Sequence, residues 1–152
     1  MGFARLSLKA RALRLLAQRE HSRSELQAKL ARHVQEGEDL GALLDALQAQ
    51  GFIDAARVAE SVVHRRAARF GVQRVAQELR RKGLDEDLVR ATAAQLAGTE
   101  LERARAVWRQ RYGNAPAAAP PQERARQMRF LAARGFAADV VRRVVQGGED
   151  DE

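Results

Sequence analysis

The sequence predicts an all-α protein: three tandem three-helix repeats that form an elongated, slightly curved body. Apolar residues recur every three or four positions along the chain, which is the helical period. Alanine, leucine and valine dominate the apolar set, and this composition disfavours strands. The segment 79–84 (LRRKGL) recurs as 131–136 (LAARGF), which indicates an internal repeat. Each unit has a small core, so neighbouring units must pack end to end for stability.

The first repeat is predicted over residues 1–51. Ser22 and Glu25 have the spacing of a capping box, in which the serine caps a helix and the glutamate reaches back. Gly37 and Gly51 mark the ends of the next two helices. The expected helices cover residues 7–19, 22–34 and 40–50.

The second repeat is predicted over residues 52–98. Phe52 and Ile53 are expected to anchor a hinge, and Asp54 to cap the helix that follows. Gly83 is the expected C-cap of the middle helix. The expected helices cover residues 54–70, 72–82 and 85–98.

The third repeat is predicted over residues 99–147, with Thr99 and Glu102 as a second capping box. Its helices are expected at 99–112, at 121–134 and from the valines after Gly135 to about 147. The proline- and alanine-rich stretch 113–121 suggests a mobile loop. Residues 148–152 are predicted to be a solvated acidic tail.

Arginine dominates the charge. The net charge is +7, and only three of the 27 basic residues are lysine, so 24 are arginine. A basic body favours phosphates or an acidic protein surface as partner. GC-rich coding would also produce many alanines and arginines, but it does not account for their clustering.

The residues needed for catalysis are scarce, so the sequence does not predict an enzyme and implies no cofactor or metal. His21, His33 and His64 have no metal-binding spacing, and most carboxylates occupy helix starts, where capping and dipole compensation explain them. There is no cysteine. No stretch is apolar enough to span a membrane and no signal peptide is recognisable, so a cytoplasmic protein is expected.

Seven basic residues and one acid, Glu78, lie between residues 65 and 82. On the fifth helix, Arg74 and Arg81 share an outer face with Gln77. The eighth helix repeats the arrangement, since Arg126 corresponds to Arg74, Arg129 to Gln77 and Arg134 to Lys82. The arginine fork suits carboxylates and phosphates. A merely solvated helix face is the alternative.

Four aromatic residues lie beside apolar stripes: Phe70, Trp108, Tyr112 and Phe130. They can in principle stack on nucleic-acid bases, but packing in the core or between repeats is the favoured interpretation. Phe70 and Tyr112 precede glycines at corresponding positions and are expected to pack between units.

These segments carry a family resemblance. The segments 51–54 (GFID), with Arg57 and Ala59, then 69–71 (RFG) and 78–84 (ELRRKGL) resemble the central region of the RecX family. The segment 130–136 (FLAARGF) resembles its closing repeat, and 12–19 with 24–26 its first. Ala55 replaces a common second acid, Val58 a common aromatic, and 115–121 is a longer insert.

The resemblance implies a monomeric regulator that lies in the groove of the RecA filament on single-stranded DNA and inhibits its ATPase, strand-exchange and coprotease activities. It thereby implies a role in homologous recombination, DNA repair and the SOS response. The RecA filament is the implied partner, and DNA phosphates a secondary one. The cations predicted to make these contacts are Arg57, Arg65, Arg66, Arg69, Arg74, Arg80, Arg81, Lys82, Arg126, Arg129 and Arg134.

Two other functions stay open from the residues alone. The fifth and sixth helices, joined at Gly83, could form a helix-turn-helix that binds DNA directly. Against this, Asp85, Glu86 and Asp87 at the start of the sixth helix would repel phosphates. The second is an unrelated helical scaffold that binds acidic proteins.

Overall fold

The computed structural model describes residues 5–113 and 119–147. This part of the chain is helical, without strands, which confirms the all-α prediction. The predicted loop falls mostly at 114–118 and the acidic tail at 148–152, outside the described residues. The helices are α1 (Leu8–Gln18), α2 (Arg23–Leu30), α3 (Leu40–Ala49), α4 (Ala55–Arg66), α5 (Val72–Arg81), α6 (Glu86–Ala97), α7 (Glu100–Tyr112), α8 (Pro121–Ala133) and α9 (Ala138–Gln146).

Each group of three successive helices encloses its own apolar core, as expected for a tandem array. Leucines dominate the first core, around Leu26 and Leu44. The second core gathers around Val62 and Leu79, and the third around Leu131 and Phe136. Among the described residues, no buried residue is common to two of these cores, so each repeat has a core of its own and meets its neighbour at a boundary.

Side-chain caps mark four of the helix starts in the described chain. The capping box at Ser22 is confirmed: its hydroxyl accepts the N–H of Glu25, whose carboxylate accepts the N–H of Ser22. Asp54 caps α4 as predicted, accepting from the N–H groups of Ala56 and Arg57. These side chains satisfy amide donors that the first turn of a helix leaves without partners.

Four expectations were wrong. The second helix ends at Leu30 and continues only as a 3-10 turn over 31–33, and the fourth ends at Arg66 rather than at 70. Thr99 makes no side-chain cap; its hydroxyl instead donates to the carbonyl of Leu96. Phe52 does not anchor the hinge, because its side chain is exposed, whereas Ile53 is buried.

The two boundaries between repeats, here called seams, use the same contact. In each, the turn after the second helix of one repeat contacts the residue just before the second helix of the preceding repeat. The α5–α6 turn thus contacts the start of α2, and the α8–α9 turn contacts the start of α5. At the first seam, Ser22 Oγ donates to the carbonyl of Lys82 at 2.6 Å. At the second, the Gly71 amide donates to the carbonyl of Arg134 at 2.7 Å. Lys82 and Arg134 each precede a glycine with positive φ.

Candidate functional site

The second seam brings two backbones into direct contact. Gly71 and Gly135 cross so closely that a Cβ on Gly71 would lie 2.4 Å from the carbonyl carbon of Gly135. The Gln73 amide also donates to the Gly135 carbonyl at 3.1 Å. Gly135 has φ +89°, which L side chains rarely adopt. The two glycines therefore allow the approach that places the start of α5 against the end of α8.

This approach gathers three arginines around one ring. The guanidinium carbons of Arg66, Arg74 and Arg134 lie 5.8, 4.7 and 5.3 Å from the centroid of Phe70. Arg74 and Arg66 come from the second repeat and Arg134 from the third. A cation over the face of an aromatic ring is attracted by the ring's quadrupole. Phe70 thus holds like-charged side chains from two repeats close together, as a residue packed between units.

A second ring extends the group within the third repeat. The guanidinium carbon of Arg134 also lies 5.1 Å from the centroid of Phe130, and that of Arg111 lies 4.9 Å from it. Tyr112 meets Phe130 edge-on at 5.6 Å, so the prediction that Tyr112 packs between units is wrong. The group Arg66, Phe70, Arg74, Arg111, Phe130 and Arg134 is called the seam cluster below.

Hydrogen bonds to carbonyl oxygens fix the seam cluster further. Arg74 Nη1 donates to the carbonyl of Ala133 at 3.0 Å, across the seam. Arg134 Nη1 donates to the carbonyl of Arg69 at 3.4 Å in the opposite direction. Neither bond neutralises the charge, because a carbonyl is a dipole rather than an anion. The seam cluster is therefore ordered, and its Arg74 and Arg134 keep their positive charge.

Six of the eleven predicted cations are paired with carboxylates. Arg65 and Arg66 approach Glu78 at 3.8 and 3.1 Å. The remaining pairs are Arg57 with Glu20 and Asp54, Arg80 with Glu86, Lys82 with Glu25, and Arg126 with Glu123. A carboxylate already within 4.0 Å reduces the charge that such a side chain offers to a partner.

The other five predicted cations have no carboxylate within 4.0 Å among the described residues. They are Arg69, Arg74, Arg81, Arg129 and Arg134. Arg74, Arg81 and Arg129 are exposed on α5 and α8, as the helical spacing predicts. Arg69 and Arg134 line a cleft of about 420 Å³ together with Arg111. These guanidinium groups present paired donors suited to carboxylate or phosphate oxygens.

Arg57 and Lys82 lie apart from the seam cluster because they belong to the first seam. Arg57 Nε donates to Glu20 at 2.9 Å, and Lys82 Nζ lies 3.2 Å from Glu25. Burial opposes the ionisation of Glu25. Hydrogen bonds from Arg19, from the Ser22 amide and from Lys82 nevertheless lower its pKa to about 2. These cations therefore act on the protein's own carboxylates.

Sequence reasoning missed three residues of the second seam. Arg111 stacks on Phe130, and Arg103 donates to the carbonyls of Ala67, Phe70 and Leu96. Glu100 is buried, and its Oε1 accepts the amides of both Val72 and Ala137. Burial lowers the pKa of Arg103, partly offset by the charge of Glu100. Arg57 lies six residues after Gly51, and Arg103 lies five residues after Gly98. This similar spacing near the start of two repeats was the sequence signal that could have singled out Arg103.

The described ranges 5–113 and 119–147 contain neither a membrane-spanning helix nor a cluster of metal-ligating side chains. No helix there is both long and apolar enough to cross a membrane. Within the same ranges, no three histidine, aspartate or glutamate side chains come together as ligands for a metal ion would.

Comparison with known proteins shows consistent similarity. Residues 54–92 match the model of the RecX second three-helix domain, and 99–145 that of the third. The chain is 55% identical to the regulatory protein RecX of Leptothrix cholodnii over 93% of this chain and 88% of that one. It is 48% identical to that of Herminiimonas arsenicoxydans over 100% and 99% of the two chains.

Solved structures show the same fold. The crystal structure of RecX from Lactobacillus salivarius superimposes with a TM-score of 0.78 at 17% identity, covering 91% of this chain and 92% of that one. A second crystal structure of a regulatory protein RecX gives 0.73 at 24% identity, covering 92% and 72%. With the sequence identities above, these findings show that the chain belongs to the RecX family of regulatory proteins.

Proposed function

We propose that this protein inhibits the RecA recombinase by lying in the groove of its filament on single-stranded DNA. The proposal extends to modulation of the ATPase, strand-exchange and coprotease activities of the filament. The observation that carries it is the meeting, in the seam cluster, of Arg74 from the second repeat and Arg134 from the third, neither of which has a carboxylate within 4.0 Å in the described chain. Membership of the RecX family supports the choice of RecA as the target.

The tandem arrangement suits a polymeric partner. Three repeats with separate cores, joined at two seams, follow one another in chain order. An array of this kind can touch several filament subunits at once, and linked contacts raise the overall affinity without any strong single contact.

The exposed arginines supply the recognition chemistry. Arg81 and Arg129 project from α5 and α8 without a carboxylate partner in the described chain. Carboxylates on a protein surface are their primary partners, and DNA phosphates secondary ones. Because charges at the rim of an interface mainly govern association rate and salt dependence, inhibition should weaken as salt rises.

The test is the DNA-dependent ATPase of RecA with substoichiometric amounts of this protein. We expect inhibition, together with co-sedimentation on filaments. The double variant R81E/R129E should need at least about tenfold more protein for half-inhibition, which corresponds to about 1.4 kcal/mol. Arg74 and Arg134 are unsuitable for this test, because they also hold the second seam together.

The matched control is R124E/R142E, which makes the same change in charge at two exposed arginines outside the predicted site. Inhibition equal to that of the unmodified protein is expected for this control. An unchanged ATPase rate with no co-sedimentation would overturn the function, whereas equal effects of the two double variants would overturn the assignment of the surface.

A further inference from the structure

A second basic cleft lies in the first repeat, away from all eleven cations discussed above. It has a volume of about 500 Å³ and runs between α1 and α2. Its apolar lining consists of Leu6, Leu15, Ala28 and Leu30. Its charged and polar lining consists of Arg11, Arg14, Gln18, Lys29, Arg32 and His33. This site is called the repeat-1 cleft below.

The repeat-1 cleft lacks internal neutralisation. Among the described residues, no carboxylate lines it or comes within 4.0 Å of its lysine and arginine side chains. The cleft beside α5 in the second repeat differs, because Glu78 lines it and pairs with Arg66. Positive charge is thus partly compensated in the cleft beside α5 and left uncompensated in the repeat-1 cleft.

Two of these cations, Arg11 and Arg14, are not explained by compensation of a helix dipole. Lys29 and Arg32 lie at the end of α2, where the helix dipole favours positive charge. Arg11 and Arg14 lie within α1, one turn apart, and gain nothing from that dipole. Moreover, the Nε atom of Arg11 is buried and has no hydrogen-bond partner among the described residues.

His33 reports the positive potential of the cleft. Desolvation lowers its pKa, and the charges of Arg11, Arg32 and Arg5 lower it further. Its Nε2 atom accepts a hydrogen bond from Arg32 Nε at 3.2 Å, which requires the neutral ring. Three arginines are therefore close enough to this imidazole to oppose its protonation.

We propose that the repeat-1 cleft binds phosphate groups, through Arg11, Arg14 and Arg32 with Lys29 in support. Arginine forks match the geometry of phosphate oxygens, and several of them in one cleft suit a ligand with more than one negative charge. No phenylalanine, tyrosine or tryptophan of the described chain lines the cleft. The site therefore contacts phosphate without reading bases, as backbone contacts to nucleic acid do.

The direct test follows the imidazole signals of the full-length protein by NMR without RecA, so it is independent of the proposed inhibition. The sequence has three histidines, and H33N identifies the signal of His33. Adding inorganic phosphate, at ionic strength matched with chloride, should raise the pKa of His33, because a bound anion offsets the surrounding arginines. His64, which is exposed and outside the cleft, serves as an internal reference.

The matched variants are R11Q/R14Q and R124Q/R142Q, which remove equal charge inside and outside the repeat-1 cleft. The response of His33 should disappear in the first and persist in the second. With a thymidine oligonucleotide, R11Q/R14Q should bind about tenfold more weakly at low salt. For this variant the plot of log K against log salt concentration should be shallower, with a slope smaller in magnitude by about 1.4, or about 0.7 for each of two lost phosphate contacts.

Two probes separate the possible sources of the phosphate. A response of His33 to inorganic phosphate alone assigns the cleft to small phosphate ligands. A response to the oligonucleotide assigns it to the nucleic-acid backbone. No response to either, an equal response in R11Q/R14Q, or a response only to polyglutamate would overturn the proposal.

Discussion

Glu100 joins the second and third repeats through its contact with Val72: Oε1 accepts the amide of Val72 at 3.2 Å. The same oxygen accepts the amide of Ala137 at 3.2 Å, so one buried carboxylate serves the starts of both α5 and α9. Neither helix has a side-chain cap of its own. A residue of one helix thus supplies the cap that two other helices lack.

Glu100→Ala should destabilise the protein by about 2–4 kcal/mol, because two partly buried amides lose their acceptor. Glu100→Gln should cost less, since its amide oxygen can still accept both bonds. Glu102→Ala is the matched control, because this residue lies in the same turn of α7 but is exposed. Urea unfolding followed by circular dichroism measures the three differences, and equal costs for Glu100→Ala and Glu102→Ala would contradict the capping role.

Gly71→Ala should destabilise the protein by about 1–3 kcal/mol, because the added methyl group meets the Gly135 backbone at 2.4 Å. Neither backbone can move without separating the second seam. Gly98→Ala provides the comparison, since its Cβ would lie 3.7 Å from the nearest atom. That variant should be neutral or stabilising by up to about 1 kcal/mol. Thermal unfolding of both variants checks this, and a neutral Gly71→Ala would refute the close approach.

Acid should weaken the first seam through Glu25, whose pKa is lowered to about 2 from an ordinary value of 4.5. A carboxylate with a depressed folded-state pKa contributes stability that is complete above the unfolded value and is lost as pH falls through the folded one. The unfolding free energy should therefore decline between pH 4.5 and pH 2.

Glu25→Gln should remove much of that decline and should lower stability at pH 7. Glu36→Gln, at an exposed loop residue, should change neither quantity appreciably. Denaturant unfolding at pH 7, 4.5, 3 and 2 makes the comparison. A Glu25→Gln variant that loses stability over this range as steeply as the unmodified protein would exclude Glu25 as the source.

Phe70→Leu tests the seam cluster. Leucine keeps an apolar side chain at the seam but removes the ring that holds Arg66, Arg74 and Arg134. We expect a stability loss of about 1–2 kcal/mol, since a cation over a ring contributes about 0.5–1 kcal/mol at an exposed site. Under the proposed function, RecA inhibition should also weaken. Phe52→Leu, at an exposed aromatic residue, is the control that should leave both unchanged.

Residues whose partners are close in sequence could be predicted. The capping box of Ser22 and the glycine turns at Gly51, Gly83 and Gly135 act over a few positions, so the order and type of the helices followed from them. Arg74, Arg81 and Arg129 were correctly placed outside the core, because helical spacing alone fixes that side.

Contacts between helices could not be predicted in the same way, because the partners are distant in sequence. Glu100 resembles a helix-dipole residue in the sequence, but its partners lie 28 and 37 residues away. The pairing of Arg66 with Glu78 depends on how α4 packs on α5, so sequence spacing could not separate neutralised cations from free ones. Arg111 reaches Phe130 only because α7 and α8 pack side by side.

The repeated seam contact also bears on how the array can grow. Ser22 offers a hydroxyl and Gly71 an amide to the turn of the following repeat. Pro120 occupies the corresponding position before α8 and has neither donor, and Pro121 after it also lacks an N–H. A further unit could not dock on α8 through a donor of this kind, so the start of α8 differs in chemistry from the starts of α2 and α5.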